Sequence, residues 1–252
     1  MEATILVTTL NEHRNNKQAA GLMIDALLKL GYKVTTDINS EYSLAIVWNS
    51  LLTDPEKETL EFIAEKASIL YMYVDNDLPF PPGYVTLVSQ FYDKGDVYFP
   101  ISKLAIFHKY WYKPIQKVKK YDVFYGGTYK SRRDYSVLSS AYGTKVITGD
   151  SKEWDKYLST YDNSLPTIRD LDLLYNIGAM CSSTYIVYDP LHTGNNVPTR
   201  FYECVFMDMN CIVIDDKGNK TRFTPEEIKN SVSEAELLRQ IKDLIERFID
   251  GK

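Results

Sequence analysis

The sequence YDVFYGG, at residues 121–127, decides the fold because it starts a strand-and-helix pattern for the second time in the chain. The first pass begins at residues 3–10, a short apolar run rich in β-branched residues, and apolar residues at helical spacing follow it. The stretch between the two passes, YKPIQKVKK at 112–120, is polar and basic and contains a proline, as linkers do. Strands that alternate with helices predict parallel, doubly wound sheets. We therefore predict the α/β class, with two Rossmann-like domains that face each other across a cleft.

Each half of the chain divides into individual elements. In the first half, apolar runs predict strands at 3–10, 32–37, 42–49, 67–74, 84–91 and 96–101. One helix is predicted to end at Gly31, and the next to begin after the capping residue Thr53. In the second half the pattern predicts strands at 121–127, 144–149, 184–189 and 211–216, and helices at 131–141, 168–181 and 198–207. We place the domain boundary between residues 115 and 116, and assign an amphipathic closing helix at 232–249 to the second domain.

Composition places the chain among ordinary soluble globular proteins. Of its 252 residues, 44% are hydrophobic and 25% charged, which excludes a disordered tail and a small disulfide scaffold. The three cysteines have no metal-site spacing and lie in apolar stretches, so we expect buried free thiols in a reducing compartment. No apolar run approaches the roughly 20 residues of a membrane span, and the N-terminus lacks the basic segment of a signal peptide. These features predict a cytoplasmic protein without membrane association.

The first candidate site is the turn that follows YDVFYGG. Gly126 and Gly127 let the backbone approach a ligand closely, and the predicted helix N-terminus after them favours anions. Lys130, Arg132 and Arg133 add positive charge where a diphosphate would lie. The alternative is a plain strand-to-helix turn with solvated basic residues, and the spacing alone does not decide between the two.

The second candidate site is a polar loop, residues 194–197, and the helix after it. Arg200 and Glu203 are three residues apart in the first turns of that helix, so they share a face. An arginine there can bind phosphate oxygens, and a glutamate can accept hydrogen bonds from two ribose hydroxyls. The alternative is an exposed ion pair within the helix, which contributes only about 0.3–0.5 kcal/mol. Together, the two candidate sites describe a nucleotide-diphosphate pocket.

The third candidate is the triplet Asp75-Asn76-Asp77 after the strand predicted at 67–74. Asp75, at the carboxyl end of a strand, is a candidate general base. The triplet also has the form DxD, which holds a divalent cation in one glycosyltransferase architecture, and a third interpretation is a backbone-capping turn. His13, His108 and His192 are not spaced like metal ligands. We predict no metal site.

The chain resembles the DNA β-glucosyltransferases of T-even bacteriophages. Collinear stretches carry the resemblance: VWNS (47–50), ILYMYVDNDLPF (69–80), VSQ (88–90), YFPI (98–101), DVFYGGTYKSRR (122–133) and residues 200–215. It implies a GT-B-like fold and an inverting enzyme that moves a hexose or pentose from a UDP-sugar to 5-hydroxymethylcytosine in phage double-stranded DNA. It further implies that residues 1–115 bind the acceptor and carry the base, whereas residues 116–252 bind the nucleotide-sugar.

The resemblance also implies the roles of individual residues. Asp75 matches the catalytic base. The family's UDP-binding residues match Thr128, Lys130, Arg133, Arg200 and Glu203, and Gly127 adjoins the first of these. Leu165 matches the backbone position that receives the uracil. Lys130 replaces an arginine, which puts a point charge where the family has a planar fork.

One departure leaves the donor sugar open. The family's sugar-contacting glutamate falls on Ala19, with Gln18 beside it. Glucose, another hexose and a pentose such as arabinose are all compatible with that change. We take Gln18, with His192 and Asn196 from the loop before Arg200, as candidates for contact with the sugar or the acceptor.

The expected partners follow from this interpretation. We expect a monomer that requires no cofactor beyond its UDP-sugar donor, with a divalent cation as a stimulator. The net charge of −5 argues against indiscriminate DNA binding, although the lysines at 113–120, with Arg132 and Arg133, could line a local groove. Two alternatives therefore stay open, namely a transferase with a non-DNA acceptor and a non-catalytic nucleotide-sugar-binding module.

Overall fold

The structure is a computed structural model of the 252-residue chain. It describes residues 3–10, 14–48, 53–73, 82–90, 95–110, 122–126, 129, 135, 145–148, 152–160, 167–169, 184–188, 199–214 and 219–249. The chain divides into two compact units. The first unit comprises Met1–His108 and Val232–Lys252, and the second comprises Lys109–Ser231.

The first unit contains a six-stranded sheet in which every pairing is parallel. Its strands are β1 (Thr4–Thr9), β2 (Lys33–Thr35), β3 (Leu44–Trp48), β4 (Ser68–Tyr73), β5 (Thr86–Ser89) and β6 (Val97–Tyr98). They lie in the order β2-β1-β3-β4-β5-β6. Because β1 lies between β2 and β3, the chain winds outward from β1 in both directions, which confirms the predicted doubly wound sheet.

Two helices between these strands begin and end where their sequences indicate. Helix α1 (Arg14–Lys29) is followed by Gly31, whose φ of +85° favours glycine. Helix α2 (Asp54–Lys66) begins after Thr53, and the Glu56 carboxylate accepts a hydrogen bond from the Thr53 backbone N–H. A 3-10 helix at Ile101–Tyr110, which the strand pattern did not predict, follows β6.

The first sheet is covered on both faces. All five side chains of β3 are fully buried, so this strand reads as a continuous apolar run rather than an alternating one. Leu44, Ile46 and Trp48 pack on the side that α1 covers. Ala45 and Val47 pack on the opposite side, against α2. The unit therefore has the layered core expected of a doubly wound fold.

The second unit contains another six-stranded sheet. Its strands are β7 (Val123–Gly126), β8 (Lys145–Thr148), β9 (Thr167–Arg169), β10 (Thr184–Tyr188), β11 (Asn210–Ile214) and β12 (Lys220–Phe223). The order is β12-β11-β10-β7-β8-β9, and all pairings are parallel except that of β11 with β12. Counted within the unit, this is the strand order of the Rossmann fold.

Three helices are described in this unit, namely α3 (Lys152–Thr160), α4 (Thr199–Met207) and α5 (Pro225–Asn230). The helix predicted at 198–207 is confirmed as α4. The helix predicted at 168–181 is wrong at its start, because residues 167–169 form β9. Pairing with β8 gives this short segment a parallel ladder, which outweighs a weak helical pattern. The rest of that helix, and the helix predicted at 131–141, lie outside the described residues apart from Tyr135.

The assignment of the closing helix to the second domain is wrong. Helix α6 (Glu234–Ile249) belongs to the first unit and packs on α1 and β3. Its apolar stripe joins the same core as the α1 side of the first sheet and comprises Leu237, Ile241, Leu244 and Ile245. An amphipathic pattern shows that a helix buries one face, but it does not identify the sheet that covers the face. The break between the units falls between His108 and Lys109, ahead of the predicted boundary.

Candidate functional site

The second sheet has its topological switch point between β7 and β10. These parallel strands are neighbours, yet the chain leaves β7 towards β8 and leaves β10 towards β11, on opposite sides. Ligands of open α/β sheets bind outside the carboxyl ends of the strands at such a point. Strand β7 ends at Gly126, so Gly126 stands at this edge, as the pattern predicted.

Glu203 is the predicted site residue whose environment is most informative. It lies on α4, which packs on β10 and β11, and its side chain is only 1% exposed. Its neighbours in the chain, Tyr202 and Cys204, are also buried, and burial raises the pKa of Tyr202 to about 12. Because Glu203 is buried, it does not form a solvated ion pair on the helix surface. A buried carboxylate is costly unless it is hydrogen-bonded or paired.

Arg200 lies in the first turn of α4, one turn before Glu203. The predicted spacing of the two residues along one helix is therefore present. The position of the Arg200 side chain lies outside what the structure describes.

Five aromatic residues form a cluster next to the end of β7 that was not predicted from the sequence. Its members are Tyr125 on β7, Tyr129, Tyr135, and Trp154 and Tyr157 on α3. Trp154 is fully buried. The signal for this cluster in the sequence is the spacing of Trp154 and Tyr157, one helical turn apart, but the sequence pattern did not predict α3.

In the first unit, the carboxyl edge of the sheet carries buried polar groups. Ser89, the last residue of β5, is fully buried, and a Cβ on Gly95 would lie 2.7 Å from its Cβ, so only glycine fits there. Trp48 ends β3 and is also fully buried. Within the described part of the chain, its indole N–H has no hydrogen-bond acceptor. Strand β4 ends at Tyr73, two residues before Asp75.

The remaining predicted site residues divide by whether the structure describes them. Gln18 lies on α1 and is partly exposed, and Ala19 packs against the core of the first unit. The other predicted residues lie outside the described residues: Asp75, Gly127, Thr128, Lys130, Arg133, Leu165, His192 and Asn196. Their roles stay predictions.

Other observations bear on cysteines, metals and membranes. Cys204 and Cys211 are buried, as predicted, whereas Cys181 lies outside the described residues. Within the described ranges, no group of three or more His, Cys, Asp or Glu side chains is arranged to hold a metal ion. The helices described for both units are too short or too polar to cross a bilayer.

Comparison with known proteins identifies the fold. No protein-family model and no curated sequence matches the chain. Among solved structures, T4 phage BGT in complex with UDP and Mn²⁺ is similar at a TM-score of 0.65 and 17% identity, over 98% of this chain and 99% of that one. An alpha-glucosyltransferase in complex with UDP and a 13-mer DNA containing a HMU base is similar at a TM-score of 0.51 and 10% identity, over 99% of this chain and 95% of that one. The predicted GT-B-like fold class is thereby confirmed, and the resemblance seen in the sequence is confirmed at the level of the fold.

Proposed function

We propose that the protein is an inverting glycosyltransferase that moves a sugar from a UDP-sugar to 5-hydroxymethylcytosine in phage double-stranded DNA. The burial of Glu203 carries the proposal. A fully enclosed carboxylate on the helix beside the switch-point strand β10 has the chemistry to bind ribose hydroxyls. The fold around it is shared with structures that contain UDP.

The second unit would bind the donor. Glu203 accepts hydrogen bonds from the ribose hydroxyls, and the backbone of Leu165 receives the uracil. The segment 127–130 and the side chains of Arg133 and Arg200 surround the diphosphate. As the bond between the anomeric carbon and the diphosphate oxygen breaks, these cations stabilise the negative charge that develops on the departing UDP.

The first unit would supply the base. The hydroxymethyl oxygen of the acceptor attacks the anomeric carbon from the face opposite UDP, and its proton passes to the Asp75 carboxylate. One bond forms and one breaks in a single displacement, so the configuration at the anomeric carbon inverts. The target nucleotide must leave the base stack, so that its hydroxymethyl group can reach the Asp75 carboxylate.

A divalent cation is not a required participant in this scheme. T4 phage BGT is in complex with UDP and Mn²⁺, which is consistent with a cation that assists the departure of a diphosphate. In this chain, Lys130, Arg133 and Arg200 carry the positive charge, so we expect a divalent cation to stimulate turnover without being essential.

The position of Ala19 supports a second donor. Ala19 packs against the apolar core of the first unit, so it offers no carboxylate to a sugar hydroxyl where the family has one. Gln18, the partly exposed neighbour, offers an amide instead. A pentose such as arabinose lacks the exocyclic hydroxymethyl group of glucose, so it needs fewer polar contacts at that position.

The deciding experiment offers the protein a matrix of donors and acceptors. Duplex DNA with and without 5-hydroxymethylcytosine is incubated with UDP-glucose, other UDP-hexoses and UDP-arabinose, and the nucleosides are analysed by mass. We expect one sugar to be added to hydroxymethylated DNA alone, with one UDP released per transfer. Transfer to a small molecule only would favour the non-DNA acceptor, and UDP binding without any transfer would favour the non-catalytic module.

A further inference from the structure

The proposed reaction does not use the aromatic cluster of the second unit, which consists of Tyr125, Tyr129, Tyr135, Trp154 and Tyr157. We propose that this cluster positions the diphosphate-binding segment of the chain, with Tyr129 as the positioning residue. The inference rests on the proposed function, since that function makes the segment around Tyr129 a diphosphate site.

Tyr129 is held by three other rings. Its ring stacks on that of Tyr135, with the centroids 5.1 Å apart and the planes inclined by 23°. It meets the Trp154 ring edge-on at 5.2 Å and 75°, and it meets the Tyr157 ring at 5.6 Å. Stacked and edge-to-face arrangements at these separations are the attractive geometries for aromatic pairs. These contacts therefore fix both the place and the direction of the Tyr129 ring.

The rings around Tyr129 are anchored in regular structure. Trp154 is fully buried on α3, and Tyr157 lies one turn further along the same helix. Tyr125, on the central strand β7, packs edge-on against Trp154 at 5.4 Å and against Tyr135 at 5.8 Å. The cluster therefore joins Tyr129 to a strand and a helix of the second unit.

The place of Tyr129 in the sequence gives this anchoring a function. It stands between Thr128 and Lys130, and it follows the pair Gly126-Gly127. Glycines give a backbone wide conformational freedom. If a segment becomes ordered only when a diphosphate binds, the free energy of ordering opposes binding and lowers the affinity for the diphosphate. The Cα atoms of adjacent residues are about 3.8 Å apart, so a fixed Tyr129 restrains both neighbours before the ligand arrives.

The test compares the affinities of UDP and uridine for a set of variants. Tyr129→Ala removes the anchor, and we expect it to weaken UDP binding by about tenfold while the affinity for uridine, which lacks the diphosphate, is unchanged. Tyr129→Phe keeps the ring and should bind UDP like the wild type. Ile147→Ala is the matched control, since Ile147 on β8 is a buried apolar residue in the same hydrophobic core as the aromatic cluster. It should lower the melting temperature and leave the ratio of the two affinities unchanged.

Lys130→Ala separates a failure of this inference from a failure of the proposed function. If Lys130→Ala weakens UDP binding but Tyr129→Ala does not, the cluster is only structural and the inference is overturned. If Lys130→Ala has no effect on UDP, the segment is not a diphosphate site, and both proposals fail. Should Tyr129→Ala not fold, Tyr157→Ala removes one of the three supporting rings. A loss of UDP affinity without loss of uridine affinity then supports the inference, and an equal loss of both contradicts it.

Discussion

Replacement of Glu203 by glutamine tests the donor site most directly. The side chain is 1% exposed, so its hydrogen bonds are not weakened by competing water, and glutamine keeps its shape while it removes the charge. Hydrogen bonds to a charged group contribute about 1.5–3 kcal/mol each. Loss of one such contribution corresponds to a fall in UDP affinity of about 10- to 150-fold.

The assay for this variant is calorimetric titration with UDP, 2′-deoxy-UDP and pyrophosphate. Wild-type protein should prefer UDP to its 2′-deoxy analogue, because the buried carboxylate loses a donor when the hydroxyl is missing. Glu203→Gln should lose most of that preference and bind pyrophosphate with unchanged affinity, since the diphosphate lies on other residues. An unchanged preference for UDP over the deoxy analogue in the variant would show that Glu203 does not bind the ribose. The burial of Glu203 would then no longer support the proposed function.

Three further predictions concern the proposed base Asp75, helix α6 and the buried indole of Trp48. Asp75→Asn should leave UDP binding intact and lower turnover by about 10²–10⁴-fold, whereas Asp77→Asn and a chelator should have mild effects; abolition of turnover by both of the latter would establish a metal site instead. Ile241→Ala, at a fully buried position of α6, should lower the free energy of unfolding by about 2–5 kcal/mol and speed hydrogen exchange in β1 and β3; faster exchange in β7 and β10 alone would refute its place in the first unit. Trp48→Phe should leave the free energy of unfolding within about 1 kcal/mol of wild type by chemical denaturation, because it removes a buried indole N–H that has no acceptor among the described residues, and this offsets the lost volume; a loss above about 3 kcal/mol would mean that the N–H is satisfied in solution.

Much of the fold was predictable because its signals are local. The strand β3 is five consecutive buried apolar residues bounded by polar ones, and such a run at strand length has few other interpretations. Gly31 and Thr53 mark a helix end and a helix start through their own backbone preferences. The parallel, doubly wound arrangement of the sheets also followed, since alternating strands and helices leave few permitted topologies.

The elements that the sequence analysis missed depend on contacts with distant residues. Strand β9 is three residues long and is stabilised by its pairing with β8, so its own sequence carries little signal. Helix α3 was not predicted because most of its side chains are exposed. Its buried face consists mainly of Trp154 and partly buried Tyr157, which pack against other aromatic rings. The aromatic cluster could not be seen until α3 and β7 were known to be neighbours in the fold.

The candidate site was predictable to a different degree in its two parts. Spacing alone gave Arg200 and Glu203 a shared helix face, but an exposed ion pair gives the same spacing. Burial distinguishes the two interpretations, and burial is a property of the packed helix rather than of the pattern. Burial excludes an exposed ion pair for Glu203, whereas the binding of ribose by Glu203 and the role of Asp75 as the base stay predictions.

The place of α6 has a consequence for how the chain folds. The first unit is built from two separated stretches, and its second stretch is synthesised only after the whole of the second unit. Until α6 emerges, the α1 side of the first sheet lacks Leu237, Ile241, Leu244 and Ile245, so apolar residues of β1 and β3 stay partly uncovered. Incomplete burial of this kind lowers stability in proportion to the apolar area left in water. The second unit, whose stretch is continuous, is free to complete its own sheet first, so we infer that the unit with the predicted donor site folds ahead of the unit with the predicted base.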